Sequence, residues 1–155
     1  MVCHTRPVEH RAAAVEDPLA LDRQVCFALA VASRSVIALY RPVLEPMGLT
    51  HPQYLVMLAL WERSPRSLRD LSEVLQLDPG TLSPLVKRLE RSGLVTRSRD
   101  AHDERTLRLT LTAQGRELRA EAEKVPAQIV AKLGLPISDL EHLREVLHAV
   151  IAAAK

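Results

Sequence analysis

Leu68-Arg69-Asp70-Leu71-Ser72-Glu73-Val74-Leu75, then Gln76-Leu77-Asp78, then Pro79-Gly80-Thr81-Leu82-Ser83-Pro84-Leu85-Val86-Lys87-Arg88-Leu89-Glu90-Arg91-Ser92-Gly93, is the stretch that decides the fold. Apolar residues at 71, 74 and 75, and again at 82, 85, 86 and 89, recur at helical spacing. They predict two amphipathic helices joined by a three-residue turn. Asp78-Pro79 opens the second helix with a capping carboxylate and a proline at the first helical position. Pro84 would delete the bond to the Gly80 carbonyl, so an irregular first turn is expected. Gly93 supplies the positive φ that a helix C-terminus uses. Two short strands follow, Leu94-Val95-Thr96-Arg97 and Leu107-Arg108-Leu109-Thr110-Leu111, around a polar tip from Ser98 to Arg105. The fold class expected is mainly α with a small β-hairpin wing, a winged helix-turn-helix flanked by dimerisation helices. Such a module puts its second helix in a major groove and its hairpin tip near the minor groove or the backbone. Pro79, Thr81, Ser83, Lys87 and Arg88 on the helix, and Arg99, Asp103 and Arg105 on the wing, are therefore the candidate DNA contacts.

Charge is informative by distribution rather than by total. The 155-residue chain carries a formal net charge of +2. Between Leu85 and Arg108 seven basic residues face four acidic ones, an excess of +3 on the segment assigned to DNA. Two cysteines, Cys3 and Cys26, make no disulfide framework, and no metal-ligand spacing appears. His4, His10, His102, His142 and His148 read as surface residues. No apolar run is expected to reach the length of a membrane span, and the start of the chain lacks a secretory apolar segment. A reducing cytoplasm is the expected compartment, with no membrane partner.

Outside the module, residues 1–16 read as a flexible tail. Asp17-Pro18 reads as the start of a long apolar helix that runs through Tyr40 and stops near Pro42 or Pro46. That helix is apolar around most of its circumference, which calls for cover from a partner subunit. Thr50-x-x-Gln53 has the spacing of a capping box and opens another helix, from Pro52 to Glu62. Thr112 is expected to cap one long helix to about Leu133, broken by Gly134 and Pro136. Ser138-Asp139-Leu140-Glu141 reads as a further capping box. Leu140, Leu143, Leu147 and Val150 then form a helix-packing seam. The regions expected are thus 17–50 and 112–155 for dimerisation and 51–111 for DNA.

With that order in hand, the chain from about Leu21 to Ala152 resembles the MarR family of dimeric winged-helix regulators. The wing carries Asp103-Glu104-Arg105 followed by Leu107-x-Leu109-Thr110-Leu111-Thr112. The resemblance implies that the wing arginine enters a minor groove and that the nearby carboxylate orients it; a narrow groove concentrates negative potential, which suits a guanidinium. Within the family the chain is similar to the organic hydroperoxide resistance regulators, of the single-cysteine type. The stretches are Leu21-Asp22-Arg23-Gln24-Val25-Cys26-Phe27-Ala28-Leu29, Leu39-Tyr40-Arg41-Pro42-Val43-Leu44, Gly48-Leu49-Thr50-His51-Pro52-Gln53-Tyr54-Leu55-Val56-Met57 and Leu77-Asp78-Pro79-Gly80-Thr81-Leu82-Ser83-Pro84-Leu85.

By that resemblance Cys26 is the peroxide-reactive cysteine, and Tyr40 hydrogen-bonds its sulfur from the other subunit. Cys26 and Tyr40 are separated by about 21 Å along one helix, so they cannot meet within a chain. An antiparallel neighbour related by a two-fold axis would bring them together. Two tyrosines usual in that branch are replaced here by Ala30 and His51. As an imidazolium, His51 would favour the thiolate; it would equally serve as a plain helix-start residue. Phe27, Leu29, Val56 and Met57 are the candidate pocket for an alkyl tail. On position alone Cys26 reads as a small core residue, and the aromatics Phe27, Tyr40, Tyr54 and Trp61 are as compatible with plain core packing as with a sensor; the resemblance makes Cys26 the redox sensor. The expected partners are double-stranded operator DNA, a second copy of the chain, an organic hydroperoxide as inducer and a small cellular thiol after oxidation. No cofactor, metal or catalytic residue is expected. Two other functions stay open: a MarR-type repressor relieved by a non-covalent small aromatic ligand, and a thiol peroxidase.

Overall fold

In the computed structural model of the chain the described residues are 17–103 and 105–155. The expected tail over 1–16, with Cys3, His4 and His10, lies outside them, as does Glu104. The described residues fall into two compact units that divide between Val36 and Ile37. The division falls within the first long helix, α1 (Val25–Leu44).

Helix α1 begins at Val25, not at Asp17-Pro18. Asp17 closes a local turn by accepting from the Leu19 amide at 2.9 Å, and a single 3-10 turn spans Leu21–Arg23. Gln24 is extended, and its side-chain amide donates to the Pro18 and Ala20 carbonyls. Those bonds satisfy the preceding carbonyls and separate the turn from the helix. At the other end α1 passes through Pro42, forgoing one backbone bond, and gives way to a 3-10 turn over Glu45–Met47. Gly48, at φ 68, then allows Leu49 N–H to reach back to the Leu44 carbonyl. The segment Val25–Met47 is long and apolar enough to cross a bilayer by length and composition alone, which corrects the expectation that no apolar run approaches that length. Alanine, valine and leucine fill it, with Arg34 and Arg41 as the basic interruptions.

In the second unit Thr50 and Gln53 form the expected capping box at the start of α2 (His51–Glu62). Val56, Met57, Ala59 and Leu60 of α2 are buried, and with Leu44, Leu71, Leu82, Leu89 and Leu109 they make the core. Ser67 caps α3 (Leu68–Leu75) by accepting from Asp70 N–H at 3.0 Å. Helix α4 runs without interruption over Pro79–Arg91, so the irregular first turn expected from Pro84 does not occur. A single missing N–H near a helix start removes one bond, while the four buried side chains Leu82, Leu85, Val86 and Leu89 hold the turn in place. Gly93, at φ 75, ends it, with Leu94 N–H returning to the Leu89 carbonyl.

The sheet has three strands rather than two. A short strand β1 (Arg66–Ser67) lies on one side of β3 (Leu107–Leu111), with β2 (Val95–Arg99) on the other, all antiparallel. Thr112 caps the next helix as expected, accepting from Gly115 N–H at 3.0 Å. The single long helix to Leu133 is instead three pieces: α5 (Ala113–Glu117), α6 (Arg119–Ala122) and α7 (Val125–Leu133). Residues at the joints keep right-handed helical backbone angles, and bonds such as Lys124 N–H to the Glu121 carbonyl tighten the turns there. Pro126 has no N–H to offer the Ala122 carbonyl. Helix α8 (Ile137–Ala153) starts behind Pro136, two residues ahead of the expected Ser138 capping box, which does not form. It buries none of its residues: Leu143 is 49% exposed and Val150 40%.

Candidate functional site

Helix α4 is presented to solvent by its own cap and its own core face. The Asp78 carboxylate accepts from the Thr81 amide at 2.9 Å and from the Thr81 hydroxyl at 2.6 Å. Those two bonds, the hydroxyl first, hold its carboxyl below the usual range. With Leu82, Leu85, Val86 and Leu89 turned inward, Pro79, Thr81, Lys87 and Arg88 are exposed and Ser83 is half-buried. The helix therefore offers one polar, basic face.

At the wing, Asp103 organises the tip through the backbone. One carboxylate oxygen accepts from Arg105 N–H at 3.0 Å and the other from the Thr106 hydroxyl at 2.8 Å. Thr106 N–H returns to the Asp103 carbonyl, and Asp100 N–H to the Thr106 carbonyl. Arg99, Asp103 and Arg105 are all exposed on this hairpin. The structure thus groups the helix candidates on one face and the wing candidates on one tip.

Sequence reasoning missed the ion pairs that brace this module. Arg66, only 6% exposed, donates to the Ala59 carbonyl, Asp70 and Glu62 at 2.7–2.9 Å, and Arg63 joins it on Asp70. The bonds from Arg66, then Arg63, keep the Asp70 carboxyl below its ordinary range. Glu62, Arg66 and Asp70 stand four residues apart, so this signal was present in the sequence. Glu90–Arg97 and Asp100–Arg108 pair across different elements, where spacing gives no warning.

The redox candidates fall in both units. Cys26 is a free, exposed cysteine on α1, with Phe27 exposed and Leu29 partly buried in the same unit. In the second unit Tyr40 meets His51 edge-on at 4.9 Å between ring centroids and Tyr54 at 6.0 Å; Tyr54 lies 6.4 Å from Trp61. Burial pushes the Tyr40 and Tyr54 phenols up and the His51 imidazole down. Tyr40 is therefore a protonated donor, and His51 is a neutral imidazole at neutral pH. Val56 and Met57 are fully buried in the core of the second unit. Among the described residues no cluster of His, Cys, Asp and Glu is placed to hold a metal.

A family model described as the transcriptional regulator SarA/Rot matches residues 38–122. The organic hydroperoxide resistance transcriptional regulator of Bacillus subtilis strain 168 is 37% identical over 135 residues, covering 87% of this chain and 92% of that protein. The chain belongs to the MarR-type winged-helix transcriptional regulators. This MarR-type chain is also similar to reduced AbfR bound to DNA, with a TM-score of 0.71 and 36% identity over 86% of this chain and 94% of that one. AbfR comes from Staphylococcus epidermidis. CouR from Rhodococcus jostii RHA1, bound to p-coumaroyl-CoA, matches with a TM-score of 0.72 and 27% identity over 85% of this chain and 94% of that one. These relatives are regulators and not enzymes, and a DNA-binding regulator is what the MarR-type module described above builds.

Proposed function

We propose that the protein is a dimeric, cytoplasmic transcriptional repressor that organic hydroperoxides switch off by oxidising Cys26. The observation that carries the reading is a free, accessible Cys26 in a chain 37% identical to an organic hydroperoxide resistance regulator. The Cys26 thiolate attacks the terminal oxygen of a hydroperoxide. An S–O bond forms, the O–O bond breaks, and the alkoxide leaves as an alcohol after taking a proton; the sulfur becomes a sulfenic acid. A small cellular thiol then condenses with the sulfenic acid, releasing water and leaving a mixed disulfide.

In this reading the exposed apolar residues of α8, with those of α1, are covered by a second copy of the chain. The Tyr40 phenol of the partner subunit hydrogen-bonds the sulfur, a role that its raised pKa favours. Neutral His51 supports the Tyr40 ring rather than supplying a charge. Phe27 and Leu29, beside Cys26 on α1, receive the alkyl tail, whereas Val56 and Met57 are closed inside the core and offer it no surface. Pro79, Thr81, Ser83, Lys87 and Arg88 face the major groove; Arg105 enters the minor groove, flanked by Arg99 and held by the Asp103 turn. Oxidation re-spaces the two recognition helices and lowers affinity.

A second reading, relief by a non-covalent aromatic ligand, draws on the similarity to ligand-bound CouR. Cys26→Ser separates the two. Release of DNA by cumene hydroperoxide is lost in this variant under the first reading and persists under the second. A thiol peroxidase would instead turn over peroxide steadily with a dithiol, independently of DNA.

A further inference from the structure

Recognition helix and wing must reach the duplex together, and one ion pair joins them directly. Glu90, in the last turn of α4, takes both the Nε and Nη2 donors of Arg97 on β2, each at 2.7 Å. Arg97 sits in mid-strand opposite Leu109, and the two charged side chains are 29% and 35% exposed. Arg97 holds the Glu90 carboxyl below its ordinary range. A second pair, Asp100 with Arg108, braces the hairpin nearer its tip, where Asp100 also accepts from His102 N–H at 2.8 Å.

Charge supply does not explain these pairs. With both set aside, Lys87, Arg88, Arg91, Arg99 and Arg105 still face only Asp103 and Glu104, so the excess on the segment stays at +3. Glu90 is moreover a carboxylate on an element that approaches a polyanion, where its own field opposes binding. We infer that Glu90 and Arg97 are positioning residues, whose ion pair sets the recognition helix and the wing at one spacing so that a single approach to the duplex seats both. The inference rests on the assignment of α4 and the wing to DNA.

The two accounts of Glu90 differ in sign. Simple electrostatics predicts that Glu90→Gln binds DNA more tightly; positioning predicts that it binds more weakly. A pair about one-third exposed contributes up to about a fivefold factor, so loss at both wings of a dimer gives at most about 25-fold, and about tenfold is expected. The test measures affinity for a duplex selected by the wild-type protein from a random-sequence pool, across a salt series, with hydroxyl-radical footprints. Expected are about tenfold weaker binding by Glu90→Gln, fading of minor-groove protection at the wing and a melting temperature lowered by no more than about 4 °C. The charge-reversed double variant, Glu90→Arg with Arg97→Glu, recovers most of the affinity. Arg97→Gln leaves the salt slope unaltered, whereas loss of a phosphate contact would lower it by about 0.9. Equal or tighter binding by Glu90→Gln, or no recovery in the double variant, would overturn the inference while wild-type binding stands. Absence of any wild-type complex would overturn the DNA assignment as well.

Discussion

Gly115→Ala sets two calculable effects against each other. Gly115 lies in α5, and alanine is the better helix former by about 1 kcal/mol, so propensity predicts a more stable protein. Packing predicts the reverse. A Cβ at this position would stand 2.1 Å from the Leu94 carbonyl oxygen and 3.3 Å from Leu111 Cδ2. The first contact is with backbone, so α5 and the start of the wing must separate by about 1 Å to restore a normal carbon–oxygen distance. Gly115 is also tied down twice: its carbonyl accepts from Trp61 Nε1 at 2.8 Å, and its N–H donates to Thr112, whose hydroxyl donates to the Gly93 carbonyl at 2.6 Å. Displacement strains bonds contributing about 1 kcal/mol each, and overpacking adds about 1–3 kcal/mol. The net expectation is a loss of about 2–3 kcal/mol. At about 2–4 °C per kcal/mol for a chain of this size, the melting temperature falls by about 5–10 °C. Circular dichroism and the fluorescence of Trp61 at fixed protein concentration report it. An unchanged or raised melting temperature would refute the reasoning, because it would mean that α5 and the Leu94 backbone ahead of β2 are not in contact at this glycine.

Three further outcomes are expected. Burial lowers the pKa of His51, so in the folded state it takes up its proton at lower pH than in the unfolded chain. The unfolded chain therefore binds more protons below about pH 6.5, and stability falls as the pH drops through that window. His51→Gln removes this part of the acid sensitivity, read as a smaller drop in melting temperature between pH 8 and pH 5.5. Arg66→Ala removes one of the two donors to the Ala59 carbonyl, the Arg63 N–H remaining, together with the ion pair to Glu62, and costs about 2 kcal/mol in denaturant titrations, while Arg63 still holds Asp70. Leu143→Glu places a charge on the exposed seam of α8, and sedimentation equilibrium is expected to show a shift from dimer to monomer by at least about tenfold in dissociation constant; a dimer unaffected by the change would remove α8 from the proposed interface.

The parts of the fold that were legible are those written in local chemistry. The α3–turn–α4 boundaries follow from apolar spacing, from Asp78 as a cap and from Gly93 as a stop, each a signal contained within a few residues. The Thr50–Gln53 box is of the same kind. Strand β1 was not legible because two polar residues carry no periodicity; it exists only through its pairing with β3. Strand β2 starts one residue late because Leu94 is used to close α4. The Ser138 box lost to Pro136, whose fixed φ let the helix begin two residues earlier. At the site, the outward face of α4 was readable from its buried face. The Glu90–Arg97 pair was hidden because it crosses from a helix to a strand, and the aromatic contacts of Tyr40 with His51 and Tyr54 because they join α1 to α2.

The central claim is that one sulfur governs the grip on DNA. The most direct measurement is intact mass together with duplex affinity, before and after one equivalent of cumene hydroperoxide, for the wild type and for Cys26→Ser. The wild type is expected to gain about 16 Da, or the mass of an added thiol when one is supplied, and to lose at least about tenfold in affinity. Cys26→Ser is expected to keep both its mass and its affinity. A wild-type complex that survives oxidation, or a Cys26→Ser complex that is released as readily as the wild type, would contradict the account.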